Sequence, residues 1–436
     1  MSIDYSRTVP AKVLWRVTAP FLVLSFLNSL DRSNISFAAL RMNTELGFSH
    51  EVYGDGGSIF YLAYVLFQFP SMWVLRKLGG RRWLFGILLF WGLAASGMAF
   101  VQDKAGFYAL RFLLGAAEAG FVPGVIYYAS RWIPRRWRGT AFSLPVLAVP
   151  VSAILGGPLA GWLMTLANPM GVAPWRWLLL VEGLPTVLLA FIAPFYFKDN
   201  PRQAKWLAPG ERDWLEGELS ADADEVRAGD SLMDWSVVKD KLVWISAAAW
   251  FCIMAGGYGL NHWLPLVIKQ LSGLTDLEVS ILSAVPWIGI GAGMAFTAWH
   301  SDKKQERYWH VAAAAALGAV GLSLAIMVGA GWLGLILLMI AGFGFGGAQS
   351  TFFTIPTSFL APARAAVAIT LINVFGTSSG IIVPKMIGAV RDSTGSYAPA
   401  LFPLAGLLVV AVVLTLTIRR LVVRSGRDRA VLSAAE

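Results

Sequence analysis

Long apolar runs recur along almost the whole chain, and short polar or basic segments separate them. An α-helix needs about 20 apolar residues to cross the ~30 Å hydrocarbon core of a bilayer. We therefore predict an all-α membrane protein with twelve transmembrane helices. The predicted spans are residues 16–40, 53–75, 83–101, 106–129, 139–166, 177–197, 242–268, 277–299, 309–329, 332–355, 364–390 and 398–421.

The longest polar segment, residues 198–241, divides this pattern into two sets of six spans. Its Trp and Leu residues are interleaved with acidic ones, which is typical of short amphipathic helices at a membrane surface, although a solvated connector also fits. We predict an N-terminal six-helix bundle over 1–197, a cytoplasmic linker over 198–241 and a C-terminal six-helix bundle over 242–436. Glycine and proline recur in the fifth and eleventh spans, so the two bundles are expected to be pseudo-repeats.

Composition and charge agree with this pattern. The chain is 57% hydrophobic and 14% charged, whereas soluble proteins carry about 25% charged residues. The net charge of +9 comes mainly from Lys and Arg in alternate loops. The opposite loops carry few basic residues, namely Arg41, Lys104, Arg176, Lys269 and Arg391. This bias predicts a multi-pass membrane protein with both termini in the cytoplasm, and it implies no nucleic-acid partner.

The sequence offers no catalytic constellation. Cys252 is the single cysteine, which excludes an internal disulfide framework, and the four histidines lack the spacing of metal ligands. A phosphate-binding loop and a nucleophile–histidine–acid pattern are also missing from the sequence. We therefore expect neither an enzyme, nor a cofactor, nor a bound metal.

Four charged residues lie inside predicted spans: Asp31, Arg32, Arg111 and Glu118. Each costs roughly 2.5–3.5 kcal/mol at bilayer depth, so each is expected to face a bundle interior or a wet cavity. Arg111 and Glu118 are seven residues apart, which places them on one helix face. A buried carboxylate near a cation can take up and release a proton, as proton coupling requires. The alternative is a static salt-bridge network between the first and fourth spans.

Several segments together resemble the anion:cation symporter family of the major facilitator superfamily, and its tartrate-, phthalate-, 4-hydroxyphenylacetate- and galactonate-type members in particular. The matching segments are LDRSNISFA (Leu30 to Ala38), RFLLGAAEAGFVPG (Arg111 to Gly124), RWIPRRWRGTAF (Arg131 to Phe142), DNPRQAKWL (Asp199 to Leu207), YGLNHWLP (Tyr258 to Pro265) and LSGLTDLEVSILSAVPW (Leu271 to Trp287). The loop after the second span departs from the wider superfamily, because Arg76 stands where an aspartate is usual.

The resemblance implies a role for several residues. Arg32 would anchor a substrate carboxylate, Asp31 and Glu118 would carry protons, and Arg111 would exchange partners between the two carboxylates. Tyr64 would hydrogen-bond the substrate, with Tyr61 as the less favoured alternative. A substrate contact is also implied for Asn373, whose other reading is helix–helix contact.

Further polar residues of the apolar spans are candidates for substrate binding. They are Gln68, which shares a face with Tyr64, then Tyr258, Asn261 and His262 of the seventh span, and Gln349, Ser350, Thr351 and Thr354 of the tenth. His262 could tune selectivity or sense pH, or could simply be hydrogen-bonded in place. The Ser and Thr hydroxyls could instead bond their own helix backbone. Lys385 is interpreted as a side chain that reaches to the membrane surface.

These features predict a monomeric secondary transporter that imports a small organic anion with protons by alternating access. The anion is expected to be a carboxylate: an aromatic acid, a dicarboxylate or a sugar acid. The expected partners are this anion, protons and the lipid bilayer. An exporter or exchanger of the same fold is the alternative, while a membrane enzyme or a transport-dead sensor would need residues or appendages that the sequence lacks.

Overall fold

The apolar runs form helices in the computed structural model, which describes residues 5–228, 234–329 and 331–427. The described residues contain no β-strand, and twelve of their helical stretches are long and apolar enough to cross a membrane. The predicted all-α class and the twelve spans are therefore confirmed. The helices are α1 (Tyr5–Leu46), α2 (His50–Leu78), α3 (Gly80–Gly97), α4 (Lys104–Glu118), α5 (Phe121–Ser130), α6 (Arg138–Thr165), α7 (Pro174–Tyr196), α8 (Pro209–Ala228), α9 (Lys241–Ser272), α10 (Asp276–Leu282), α11 (Ala284–Lys304), α12 (Tyr308–Val328), α13 (Trp332–Phe352), α14 (Thr354–Phe359), α15 (Pro362–Thr377), α16 (Ser379–Thr394) and α17 (Ala398–Arg424).

Four of the predicted spans are interrupted helices. The breaks separate α4 from α5, α10 from α11, α13 from α14, and α15 from α16. At the first break, α4 ends at Glu118 and α5 starts at Phe121. A Cβ at Gly120 would overlap the side chain of Ser71, and one at Gly124 would overlap the ring of Trp83. Glycine at this break therefore allows close packing. Because of the break, α4 ends at Glu118, whose carboxyl group is buried.

Contacts divide the chain into two compact units. The first comprises residues 1–34, 63–153 and 168–230, and the second comprises 35–62, 154–167 and 231–436. Helices α1, α2 and α6 contribute to both units, so this division differs from the predicted one at 198–241. The predicted six-helix bundles stay a prediction.

The first unit is organised around α3, which packs against α4 and α7. Its polar helix α8 is anchored by ion pairs. Glu211 of α8 pairs with Lys12 of α1 at 2.5 Å, and Arg136 pairs with Glu218 at 3.0 Å. The hydrogen bond from Lys12 and a backbone bond from residue 208 hold the pKa of Glu211 below its usual value. Helix α8 is therefore a docked element of this unit.

In the second unit, α13 packs against α11 and α12, α17 against α12 and α9, and α9 against α15 and α16. The start of α2 also belongs to this unit and meets α16. There the Asp392 carboxylate accepts from the backbone N–H groups of His50 at 3.2 Å and Glu51 at 2.7 Å. A distant side chain thus caps the N-terminus of α2, where backbone donors lack partners within the helix.

Candidate functional site

An ion pair joins Arg32 of α1 to Glu118 of α4 within the first unit. Nε of Arg32 donates to Oε2 of Glu118 at 2.7 Å, and the same oxygen accepts from Nδ2 of Asn28 at 2.9 Å. The Glu118 side chain is fully buried, while 23% of the Arg32 side chain is exposed. The arginine thus has one buried carboxylate partner and one accessible side.

Tyr64 completes the immediate surroundings of Arg32. The guanidinium carbon of Arg32 lies 4.8 Å from the centroid of the Tyr64 ring, which is a cation–π distance. The ring holds the guanidinium plane in place, as a planar fork for a carboxylate requires. Gln68, one turn further along α2, is half-buried, and its amide has no hydrogen-bond partner among the described residues. Tyr61, the less favoured alternative, lies in the second unit against Tyr258.

Asp31 lies next to Arg32 in the chain but has different partners. Its Oδ2 accepts from the indole N–H of Trp91 at 2.7 Å, and its Oδ1 accepts from Nδ2 of Asn34 at 3.2 Å. The residue is 1% exposed. Both partners are neutral donors, so they orient the carboxyl group without neutralising a charge on it.

Arg111 is buried on α4 and interacts electrostatically with Glu118. Asp31 also interacts electrostatically with Glu118. The structure therefore brings the four predicted intramembrane charges into one group. In this structure the ion pair of Glu118 is with Arg32 of α1, so α1 and α4 are joined by a salt bridge.

Sequence reasoning missed a third buried carboxyl, Glu182 of α7. Glu182 is 3% exposed and interacts electrostatically with Asp31 and with the amide of Asn34. Neither of its oxygens accepts a well-aligned hydrogen bond from any described residue. The signal was present in the sequence, because Glu182 is an acidic residue inside the predicted span 177–197, and intramembrane acids are functional candidates by default.

The predicted residues of α9 lie in the second unit. His262 is 5% exposed, and its ring stacks on Tyr53 while its edge meets Trp263. Tyr258 packs against Tyr61 with ring centroids 4.3 Å apart. Asn261 is half-buried, and its side-chain amide has no hydrogen-bond partner in the described part of the chain.

The tenth-span candidates also lie in the second unit. Ser350 donates to the backbone oxygen of residue 347 at 3.2 Å, and Thr354 donates to that of Thr351 at 2.6 Å. These hydroxyls thus bond backbone carbonyls three residues earlier in the chain, in line with the reading of the sequence in which they bond the nearby backbone. Thr351 is buried, and the amide of Gln349 makes a 4.0 Å contact with the Met254 sulfur.

Asn373 and Lys385 belong to α15 and α16. Asn373 is half-buried, and its amide has no partner among the described residues, although its backbone oxygen accepts from Thr377 at 2.8 Å. Nζ of Lys385 forms an ion pair with Asp55 of α2 at 3.0 Å. The interpretation of Lys385 as a side chain that reaches to the membrane surface did not include this acidic partner, which is distant in sequence.

This arrangement is suited to binding anions and protons. The Arg32 fork offers N–H donors that match a carboxylate, and three buried carboxyl groups can each hold a proton. In the described residues, no three His, Cys, Asp or Glu side chains are grouped so that they could hold a metal ion.

Comparison with known proteins finds similarity over nearly the whole chain. The family model described as "Major Facilitator Superfamily" matches residues 21–384. A protein of Agrobacterium vitis named "Putative tartrate transporter" is 41% identical over 427 residues, which cover 98% of each chain. A "Quinolone resistance transporter" of Acinetobacter baumannii is 35% identical and covers 95% of each chain.

Solved structures add a similarity of fold. The crystal structure of a D-xylose-proton symporter superposes with a TM-score of 0.74 at 14% identity, covering 92% of this chain and 97% of the other. A bacterial homologue of the human lysosomal transporter Spinster gives a TM-score of 0.68 at 17% identity, covering 96% and 98%. At these identities the likeness concerns the fold alone.

Proposed function

This chain belongs to the Major Facilitator Superfamily, and we propose that it imports a small organic anion together with protons across the bacterial inner membrane. Its relatives are secondary transporters of small organic substrates, and the chain is a membrane protein of this kind rather than an enzyme. The observation that carries the finer proposal is the contact between Arg32 and Glu118.

Arg32 is the proposed anchor for the carboxylate of the substrate. Its guanidinium lies over the Tyr64 ring and 23% of its side chain is exposed, so once Glu118 releases it the planar fork can offer two donors to an incoming anion. Lysine in this place would keep the charge but lose the fork. Polar residues of the second unit keep their predicted role as further substrate contacts: Tyr258, Asn261, His262, Gln349, Ser350, Thr351, Thr354 and Asn373. Tyr64 and Gln68 keep theirs in the first unit.

Competition for Arg32 supplies the proposed coupling. An ionised Glu118 holds the guanidinium at 2.7 Å, whereas a protonated Glu118 is neutral and releases it to the anion. Proton binding and anion binding therefore favour each other, and linkage makes this effect reciprocal. The electrostatic attraction of Arg111 to Glu118 favours the ionised carboxylate, and so favours loss of the proton from Glu118 when the anion has left.

Asp31 is the second proposed proton carrier. It is buried, has neutral donors only in Trp91 and Asn34, and interacts with Glu118 electrostatically. A charge on one carboxyl therefore disfavours a charge on the other. An anion that enters against a negative-inside potential needs such co-moving protons.

The distribution of Lys and Arg supports a topology with both termini in the cytoplasm. In this proposal residues 1–197 and 242–436 form the two halves that alternate access, and 198–241 connect them. The similarity to a relative named for tartrate supports a hydroxylated dicarboxylate as the first substrate to try.

Uptake by purified protein in liposomes tests the proposal. Labelled tartrate and a panel of aromatic acids and sugar acids are offered with and without an inward proton gradient. We expect one class of carboxylate to accumulate only with the gradient, and an uncoupler should abolish this accumulation. Uptake that ignores the gradient for every acid tested would overturn proton symport.

A second candidate function is export, because the quinolone resistance relative is 35% identical over nearly the whole chain. Everted membrane vesicles distinguish the two directions. An exporter would accumulate fluoroquinolone or organic anion inside everted vesicles when the membrane is energised, whereas the proposed importer would not.

A further inference from the structure

Glu182 on α7 is a buried acid that the proposed mechanism does not use. It is 3% exposed, both of its carboxyl oxygens are buried, and its polar interaction is with the amide of Asn34, which does not form a well-aligned hydrogen bond to it. We infer that Glu182 is a third proton-carrying carboxyl group, which exchanges its proton with Asp31. This inference rests on the proposed proton symport.

The position of Glu182 is fixed by close packing of α7 on α3. A Cβ at Gly183 would lie 2.7 Å from the backbone nitrogen and from Oγ of Ser96. On the next turn of α7, Thr186 is fully buried. Helix α7 therefore approaches α3 at backbone distance beside Glu182, which is 3% exposed.

Two buried hydroxyl groups, those of Ser96 and Thr186, belong to the same contact between α3 and α7. Both hydroxyl groups are buried, and neither makes a hydrogen bond with any described residue. Buried polar atoms are normally satisfied, so a group of them on one helix contact is unusual for a purely structural region. A hydroxyl both donates and accepts, which is what passage of a proton requires.

The charged neighbour of Glu182 is Asp31 of α1. The two carboxyls interact electrostatically, and Asn34 lies beside both, since its amide donates to Asp31 and interacts with Glu182. Helix α3 contributes Trp91, which donates to Asp31, and Ser96. Neither side chain titrates as an acid near neutral pH. In the described part of the chain, the groups that interact with the Glu182 carboxyl are Asp31 and Asn34.

Because Asp31 and Glu182 interact electrostatically in a dry interior, a charge on one disfavours a charge on the other. The pair therefore holds a proton that can sit on either member. In the transfer, the O–H bond on Glu182 breaks, an O–H bond forms on Asp31, and the negative charge moves from Asp31 to Glu182. Asp31 interacts in turn with Glu118, so the three acids form a series from α7 through α1 to α4.

The variant Glu182→Gln tests this series in liposomes. Glutamine keeps the size and a carbonyl oxygen but cannot release a proton. We expect thermal stabilisation by the anion to stay within about twofold of wild type, while the number of protons moved per anion falls by one and the pH profile of uptake shifts. Glu182→Asp keeps the carboxyl and should keep the ratio. Glu216→Gln, in a pair with Arg202 outside the spans, is the matched control.

An unchanged proton-to-anion ratio and an unchanged pH profile in Glu182→Gln would overturn the inference, because a neutral structural acid behaves in this way. If Glu182→Gln does not fold, infrared difference spectra of wild type and Glu182→Asp decide the matter. A protonated-carboxyl band that responds to pH and is shifted by Glu182→Asp supports the inference, and an identical band in both proteins overturns it. A wild-type protein without any proton coupling would overturn the proposed function as well.

Discussion

The ring of His262 lies parallel to the ring of Tyr53, with their centroids 4.2 Å apart and their planes 14° from parallel. Each residue also bonds the backbone of the other. The Tyr53 hydroxyl donates to the carbonyl oxygen of His262 at 2.9 Å, and Nε2 of His262 lies 3.3 Å from the carbonyl oxygen of Tyr53. Donation to that carbonyl requires a hydrogen on Nε2. The reciprocal contact joins α2 to α9 in the second unit.

Gly57 allows this pair to form, and we expect Gly57→Ala to disturb it. An added Cβ would lie 2.8 Å from two atoms of the His262 ring and 2.9 Å from Cβ of Pro384. Overpacking of this kind lowers the free energy of unfolding by about 1–3 kcal/mol. Gly86→Ala is the control, because its Cβ would meet no atom within 4 Å and alanine favours a helix. Equal melting temperatures for the two variants would contradict this account.

Arg32→Lys should abolish or severely weaken anion binding while the protein stays folded. Lysine keeps the charge but cannot form two parallel bonds to a carboxylate. The measurement is thermal stabilisation by the transported anion. Arg41→Lys, closer to the C-terminus of α1 in a pair with Asp276, is the control and should bind normally. Binding by Arg32→Lys within about twofold of wild type would remove Arg32 from the site.

Asp31→Asn should stop accumulation that is driven by a proton gradient. The amide cannot exchange a proton, but it can still accept a bond from Trp91, so the fold should survive. Uptake into liposomes with an inward proton gradient measures the effect, and anion binding by thermal shift serves as the control for folding. Accumulation at the wild-type level would show that Asp31 lies outside the coupling path.

Glu118→Gln should separate exchange from net uptake. Glutamine resembles the protonated acid, so Arg32 is released to the anion and one-for-one exchange of labelled anion should persist. Net uphill uptake should fail, because residue 118 can no longer shed a proton. The comparison needs exchange, uptake and melting temperature on one preparation.

A static role for Glu118 gives a different result. Loss of the buried ion pair would leave a cation without its carboxylate and cost on the order of 3–5 kcal/mol. Exchange, uptake and melting temperature would then fall together in Glu118→Gln, and the assignment of Glu118 as a proton carrier would be wrong.

The pair of Lys12 and Glu211 predicts a dependence of stability on pH. The pKa of Glu211 is lower in the folded protein than in the unfolded chain, mainly because Lys12 donates to it. Its contribution to the free energy of unfolding is therefore fully present above the unfolded value of about 4.3 and is lost as the pH falls through the folded value. Lys12 is half exposed, so solvent limits the contribution to about 1 kcal/mol.

Glu211→Gln should accordingly lower the melting temperature slightly at pH 7, and the difference from wild type should shrink as the pH falls below about 4. Glu216→Gln, whose arginine partner is 82% exposed, should show no such difference at either pH. A constant difference for Glu211→Gln across the whole range would exclude the ion pair as its cause.

The twelve spans and the family could be predicted because length and apolarity alone specify a membrane helix. The partners within the site could not be predicted, since they depend on contacts between distant segments. Arg32 and Glu118 are 86 residues apart in sequence, and Asp31 and Trp91 are 60 apart. Periodicity assigned Arg111 and Glu118 to one face but gave no indication that Arg32 would be the ion-pair partner of Glu118.

The broken helices were missed for a related reason. Residues 106–129 remain apolar through the break at Gly120, so hydropathy carries no sign of it. The break follows from Gly120 and Gly124 packing against Ser71 and Trp83, which only the folded chain brings near. Glu182 was also missed because its span is strongly apolar, although an acidic residue inside a predicted span is by itself a functional candidate.

The cap that Asp392 provides for α2 ties the integrity of a helix end to a contact with α16. If these segments part, the amides of His50 and Glu51 lose their acceptor at the same moment and water must replace it. Hydrogen exchange at these two amides therefore reports on separation of the segments directly. Protection of these two amides from hydrogen exchange should therefore increase when the contact with Asp392 forms and decrease when it opens.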